Sequence, residues 1–322
     1  MTTVKSATPR AKRSLGDYLG LVVRGFFMGA ADIVPGVSGG TMAFILGIYE
    51  ELINSIKAVD TNLLRFLSRL KIRAAMDSFP WQFLLSVGVG IGLAILTLAS
   101  FLEQQLETNP TLVWAFFFGL VLASVITVGR SVSQWNGTTL ASTLLALVGG
   151  YLLVDAVPVQ TPEEPWFLFL SGAIAICAMI LPGISGAFIL VLLGKYQYVL
   201  AAVNDHDICT IALVGAGAAF GIVTFARILS WLFKNHRDTT IAALTGLMLG
   251  SLPKVWPWKV TLSTIIDRHG EVVPPEQANI LPAAFDGDVA FAIGLMVLGI
   301  LAVLALSWLA GRQQESTVLI HE

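Results

Sequence analysis

The chain has 322 residues, 56% of them hydrophobic and 12% charged, with a mean hydropathy of +0.79. These values lie outside the range of soluble domains and mark a polytopic helical membrane protein. The net charge of −2 says little by itself, because in a membrane the position of each charge is what matters. The two cysteines, Cys177 and Cys209, fall in or near apolar segments and read as small packing residues.

Residues 1–14 are polar and basic, and the apolar stretch after them has no small-residue cleavage site, so no removable signal peptide is expected. Apolar runs then predict helices at 15–33, 39–57, 81–102, 111–130, 139–157, 166–181, 184–203, 209–233, 239–253 and 287–311, followed by a tail at 312–322. Lys5, Arg10, Lys12 and Arg13 precede the first pair, and Lys57, Arg65, Arg69, Lys71 and Arg73 follow it. By the positive-inside rule both ends of that pair are cytoplasmic. Acidic loops at Glu103 and Glu107 and at Glu163 and Glu164 then alternate with basic ends at Arg130, Lys234, Arg237 and Arg312. Of the 19 Lys and Arg, 13 fall inside in this topology; Lys254, Lys259 and Arg268 fall outside, and Arg24, Lys195 and Arg227 lie within segments. Lys195 is placed close to the outer surface. Trp256 and Trp258 read as interfacial anchors beside an exposed loop at 257–286.

Two of the apolar stretches are broken by the same phrase. Ile33-Val-Pro35-Gly36-Val-Ser38-Gly39-Gly40 returns 147 residues later as Ile180-Leu-Pro182-Gly183-Ile-Ser185-Gly186-Ala187, with 8 identities in the 17 pairs from Ile33 to Tyr49. Val87–Ser124 aligns with Val214–Ser251 at an offset of 127, with 12 identities in 38 pairs. Two repeats result, 15–157 and 166–311, each a broken helix pair (15–57, 166–203) plus three spans. Three spans and an even number of crossings invert the second half, so the fold class is an all-α, inverted-topology repeat. Such breaks at matching places mark a transporter's binding site. Half-helices of 16 to 20 residues, about 24–30 Å at ~1.5 Å per residue, lie between dipping in and crossing. Re-entrant hairpins are favoured, because open backbone survives at membrane depth only in protein or beside water. Gly88, Gly90, Gly92, Gly215, Gly217, Gly221, Gly25 and Gly29 read as close helix packing.

Opposed hairpins bring the two tips together near the midplane. Gly36, Gly39, Gly40, Gly183 and Gly186 turn the backbone, Pro35 and Pro182 break the helices, and Ser38, Thr41 and Ser185 add hydroxyls. Free amides at the following helix starts complete an anion cradle; the competing reading is that Pro and Gly serve only tight packing. Arg24, eleven residues before Pro35, and Arg227 are candidates to balance an anion, with snorkelling as the alternative. Asp32, with Met179 at its counterpart, is a candidate for proton or sodium coupling, or else bonds the turn's amides. Glu50 and Glu51 read as solvated. The histidines, His206, His236, His269 and His321, fall in loops or the tail, none placed to activate a serine. No acidic grouping resembles a metal site, so neither catalysis nor a cofactor is expected, and no nucleic-acid partner.

The run Gly25-Phe-Phe-Met-Gly29-Ala-Ala-Asp32-Ile-Val-Pro35-Gly36-Val-Ser38-Gly39-Gly40-Thr41, with Gly47, Tyr49 and Glu50, resembles the signature of bacterial PopT-type polyprenyl-phosphate translocases. Leu181-Pro182-Gly183-Ile184-Ser185-Gly186 through Gly194 and Tyr196 resembles that family's second motif, and the likeness covers roughly 17–311. It implies a protein of the bacterial cytoplasmic membrane, with both termini cytoplasmic, that returns undecaprenyl phosphate from the outer to the inner leaflet during cell-wall precursor recycling. A lipid phosphatase and a small-anion transporter stay open as rival readings, as do the oligomeric state and the coupling ion.

Overall fold

Ser14 starts the first helix with a capping box: its hydroxyl accepts from the Asp17 amide at 3.3 Å, and the Asp17 carboxylate accepts from the Ser14 amide at 2.7 Å. The computed structural model describes residues 13–34, 36–156, 158, 161–266 and 272–319. Lys5, Arg10, Lys12, Pro35, Arg268, His269 and His321 lie outside the described residues.

The first half runs α1 (Leu15–Ile33), α2 (Gly39–Ile45), α3 (Tyr49–Lys57), α4 (Thr61–Ser68), α5 (Ile72–Ser78), α6 (Trp81–Thr108), α7 (Pro110–Gly129) and α8 (Gly137–Val154). The second runs α9 (Pro165–Ile180), α10 (Gly186–Leu192), α11 (Tyr196–Asn204), α12 (Ile208–Asn235) and α13 (Arg237–Ser251). A 3-10 turn (Leu252–Val255), β1 (Lys259–Ile266), β2 (Val272–Asn279) and α14 (Gly287–Leu319) follow. Among the described residues α6, α7, α8, α12 and α14 are long and apolar enough to cross a membrane. The pair α10 and α11 qualifies together but is bent by 107°, and α9 is a shorter apolar helix of 16 residues. The protein is a multi-pass membrane protein.

Three sequence expectations change. The segments 39–57 and 184–203 are not single helices: each is cut at a glycine of positive φ, Gly47 at +70° and Gly194 at +62°. Both cuts are Schellman closures, with the Ile48 amide reaching Ala43 O (3.0 Å) and the Lys195 amide reaching Leu190 O (2.8 Å). An apolar run has no marker for such a stop except the glycine itself. Second, the 58–79 connection contains α4 and α5. Third, the 257–286 loop holds an antiparallel hairpin pairing Lys259 with Asn279 and Ile266 with Val272, so the protein is not all-α. The β-branched residues Val260, Thr261, Thr264, Ile265 and Ile266 suit a strand. Lys195 is 1% exposed, and its ammonium donates to Thr161 O, in the segment before α9, at 2.8 Å.

Four helix pairs dominate the packing: α1 on α6, α9 on α12, α7 on α14 and α8 on α13. Each is a glycine contact. A Cβ on Gly25 would land on the Val87 carbonyl and one on Gly90 on the Val22 carbonyl; Gly172 and Gly217 do the same to Val214 and Phe169. Gly119 and Gly299 seat α7 on α14 at Met296 and Phe116, and Gly246 and Gly250 seat α13 on α8 at Thr143 and Leu147. With no water to drive helices together in lipid, this backbone approach supplies the association. Gly88, Gly92 and Gly215 face open space, so packing does not account for them. Gly90→Ala is therefore expected to destabilise the fold by about 1–3 kcal/mol through overpacking, and Gly88→Ala to be near-neutral. Melting temperatures in detergent check this; equal losses at both positions would refute the seam.

Candidate functional site

The two Pro-Gly-x-Ser-Gly loops meet. The Ser38 hydroxyl lies 3.1 Å from Met179 O and 3.0 Å from Leu181 O, at the end of α9 and the start of the second loop. Thr41 Oγ1 accepts from the Gly183 amide at 3.1 Å, and the Tyr49 hydroxyl donates to Ile180 O at 3.2 Å. Gly40 has no room for a side chain because the Ile180 carbonyl stands where its Cβ would be. Broken helices leave carbonyls and amides without helical partners; here the first loop's hydroxyls satisfy the second loop's backbone. Ser38 and Thr41 are 1% and 0% exposed, so the junction is sealed from solvent.

The two loops are not equivalent. In the first, Asp32 Oδ1 accepts from the Gly39 amide at 2.7 Å, Ser38 Oγ accepts from the Gly40 amide at 3.1 Å, and Ser38 O accepts from the Thr41 amide at 3.0 Å. The start of α2 is thereby filled by the protein's own carboxylate and hydroxyl. In the second, Met179 replaces the acid and Ser185 makes no cap. Among the described residues the amides of Gly186, Ala187 and Phe188 have no partner, and neither has the Ser185 hydroxyl, in a residue 7% exposed. Gly36 (φ +84°) and Gly183 (φ +90°) make matching left-handed turns, Gly36 against the 3-10 turn after α13 and Gly183 against the last turn of α13.

The predicted residues thus divide. Asp32, Gly36, Ser38, Gly39, Gly40, Thr41, Gly183, Ser185 and Gly186 belong to the two loops, with Pro182 between Leu181 and Gly183. Pro35 lies outside the described residues. Arg24 and Arg227 are elsewhere. Arg24 is about 15 Å from the loop along α1, at ~1.5 Å per residue, and is half-buried among the charges of Arg13, Asp17 and Glu51. Arg227 is exposed and reaches Val59 O at 3.4 Å.

That second place is a closure the sequence reading missed. Ser230 Oγ lies 2.9 Å from Asn54 Oδ1 and accepts from Lys57 Nζ at 3.0 Å, joining α3 to α12. Glu50 and Glu51, expected to be solvated, pair with Arg237 (3.2 Å) and Arg13 (2.7 Å). All of this lies at the basic end of the bundle. No comparable packing joins α11 to α6. At the other end Ile33, Ala99, Glu103, Leu106 and Glu107 line an open cavity of about 340 Å³. A second cavity of about 440 Å³, lined by apolar residues of α3, α6 and α12, opens beside Ile56, Val87 and Ile222. Among the described residues no group of His, Cys, Asp or Glu is arranged to hold a metal ion.

Comparison with known proteins gives the family. A polyprenyl-phosphate transporter of Vibrio cholerae is 44% identical over 274 residues, covering 84% of this chain and 88% of that protein. A polyprenyl-phosphate transporter of Staphylococcus aureus is 27% identical over 257 residues, 73% of this chain and 85% of the relative. No solved structure matches the chain. The family model described as VCA0040-like, undecaprenyl phosphate translocase-like, matches residues 28–273, a stretch that takes in both loops and the α3–α12 closure. The chain belongs to the undecaprenyl phosphate translocase-like family.

Proposed function

We infer that the protein moves undecaprenyl phosphate from the outer to the inner leaflet of the bacterial cytoplasmic membrane by alternating access, without chemistry on the lipid. The observation that carries this reading is the interlocked pair of broken-helix loops, with α3 hydrogen-bonded to α12 at the basic end and no matching contact of α11 with α6. In this reading the two halves are inverted repeats and the basic end is cytoplasmic, so the structure is the outward-open state. A phosphate monoester carries about −1.5 to −2 charges near neutrality. A barrier of even ~20 kcal/mol would limit its unaided crossing to about one event per minute. The polyprenyl tail stays in lipid, and only the head group needs a polar path.

The head group engages the loop junction, where Ser185 and the second loop are the unfilled side. Ser38 and Thr41 hold the two loops in register. Arg24 and Arg227 stand at the basic end, where the head group leaves once α3 parts from α12. Asp32 caps α2 here; coupling to a proton or sodium ion would require it to release the Gly39 amide.

Purified protein in proteoliposomes tests the reading. Wild type moves undecaprenyl phosphate between leaflets, and Ser38→Ala/Ser185→Ala lowers the rate at least tenfold. Release of phosphate from the lipid would favour a phosphatase. Competition by millimolar inorganic phosphate with no lipid movement would favour a small-anion transporter.

A further inference from the structure

Two lysines that the topology counts only as outside charges stand beside the loop junction. Lys254 lies in the 3-10 turn after α13, and its stem packs on the first loop: a Cβ on Gly36 would stand 3.2 Å from Lys254 Cγ. The end of α13, just before that turn, packs on the second loop, where a Cβ on Gly183 would stand 2.8 Å from Met248 Cα and 2.9 Å from Ser251 Oγ. Lys254 Nζ sits 4.5 Å from the ring centroid of Phe188, three residues after Ser185 on α10. Lys259, first residue of β1, sits 4.5 Å over the Trp114 ring and donates to Lys254 O at 2.6 Å.

Both side chains are half-buried, and among the described residues neither ammonium meets a carboxylate. Burial pushes Lys254 down, and burial together with the charge of Lys254 pushes Lys259 down to about 8. Two like charges held together without a counter-ion are unfavourable, and the aromatic faces offset only part of that. Snorkelling does not explain the pose, since snorkelling carries the ammonium out to water, whereas these ammonium groups lie over rings and against backbone. Lys259 uses one of its three donors on Lys254 O, and Lys254 uses none on a described acceptor. A compact dianion would neutralise the pair and take up the free donors, and lysine is a point-charge binder of phosphate.

We propose that Lys254 and Lys259 form a phosphate-binding site beside the loop junction, where a phosphate group docks before it passes between the loops. Its assignment to the lipid head group rests on the translocase reading; free phosphate shares the chemistry, and the test separates the two sources.

The experiment measures binding of farnesyl phosphate, farnesol and inorganic phosphate to purified full-length protein in detergent, with undecaprenyl phosphate translocation followed in parallel proteoliposomes. Lys254→Met/Lys259→Met keeps the stems on Phe188 and Trp114 while removing both charges, and Lys254→Arg/Lys259→Arg keeps the charges. The Met pair is expected to weaken farnesyl phosphate binding at least tenfold at an unchanged melting temperature, and the Arg pair to stay within about threefold of wild type. Farnesol binding is expected not to depend on the lysines. Equal affinity of wild type and the Met pair for farnesyl phosphate overturns the site. Lysine-dependent binding of inorganic phosphate without farnesyl phosphate binding overturns its assignment to the lipid. Lysine-dependent binding of farnesyl phosphate without translocation by wild type supports the site and overturns the translocase reading. Translocation by wild type and by the Met pair with the same half-saturating lipid overturns the site and leaves that reading standing.

Discussion

Tethering α3 to α12 is expected to stop translocation. In an Asn54→Cys/Ser230→Cys variant on a Cys177→Ser/Cys209→Ser background, a short cleavable thiol crosslinker should reduce lipid movement more than tenfold, and cleavage should restore it. Ser230 contacts both Asn54 (2.9 Å) and Lys57 (3.0 Å), while Arg227 reaches the end of α3 at Val59. These are modest polar contacts, about 0.5–1.5 kcal/mol each for a typical hydrogen bond, weak enough to break in a working cycle. In the proposed cycle they break, for a reason the repeat alignment gives. Ser230 corresponds to Glu103 at the offset of 127, yet Ser230 is covered by α3 while Glu103 lines an open cavity. If the halves exchange roles, α3 leaves α12 as α11 closes on α6. Undiminished transport in fully crosslinked protein would sink alternating access through this closure.

The second large effect is at Gly183. Gly183→Ala should lower the melting temperature by several degrees and abolish most transport, while Gly36→Ala should be milder. Both residues have left-handed backbone, φ +90° and +84°, where an L side chain costs about 1–2 kcal/mol. The difference lies in what each new Cβ meets. At Gly183 it meets Met248 Cα at 2.8 Å, backbone that cannot yield without moving α13. At Gly36 it meets Lys254 Cγ at 3.2 Å, part of a flexible side chain. Gly183 also donates its amide to Thr41, so displacing it breaks the register between the loops. Equal effects at both glycines would show that backbone strain, and not packing on α13, governs the junction.

Much of the site is legible in the chain, but not its wiring. The doubled Pro-Gly-x-Ser-Gly phrase marks where the helices break, because proline and a left-handed glycine act on the backbone locally. Gly47 and Gly194 carry an equally local stop, yet each sits inside an apolar run long enough to read as one helix. The identity of Tyr49 with Tyr196 is visible in the repeat, although Tyr49 is buried against Ile180 O and Tyr196 is 39% exposed. Equal residues acquire unequal partners because this conformation is asymmetric, and sequence identity has no access to conformation.

Composition and periodicity alone determined that this is a helical membrane protein. The repeated motif and glycine spacing determined its broken helices and the family it resembles. These are properties of neighbours along the chain. Only the tertiary structure decided that Asp32 fills the start of α2, that Ser38 serves the other loop, and that Arg24 and Arg227 stand away from the junction. It alone decided that Lys254 and Lys259 lie half-buried beside that junction. Several of those outcomes, the Ser38 contacts across 141 and 143 residues among them, depend on which helices pack together far apart in the chain, a choice made by glycine seams and backbone hydrogen bonding in lipid.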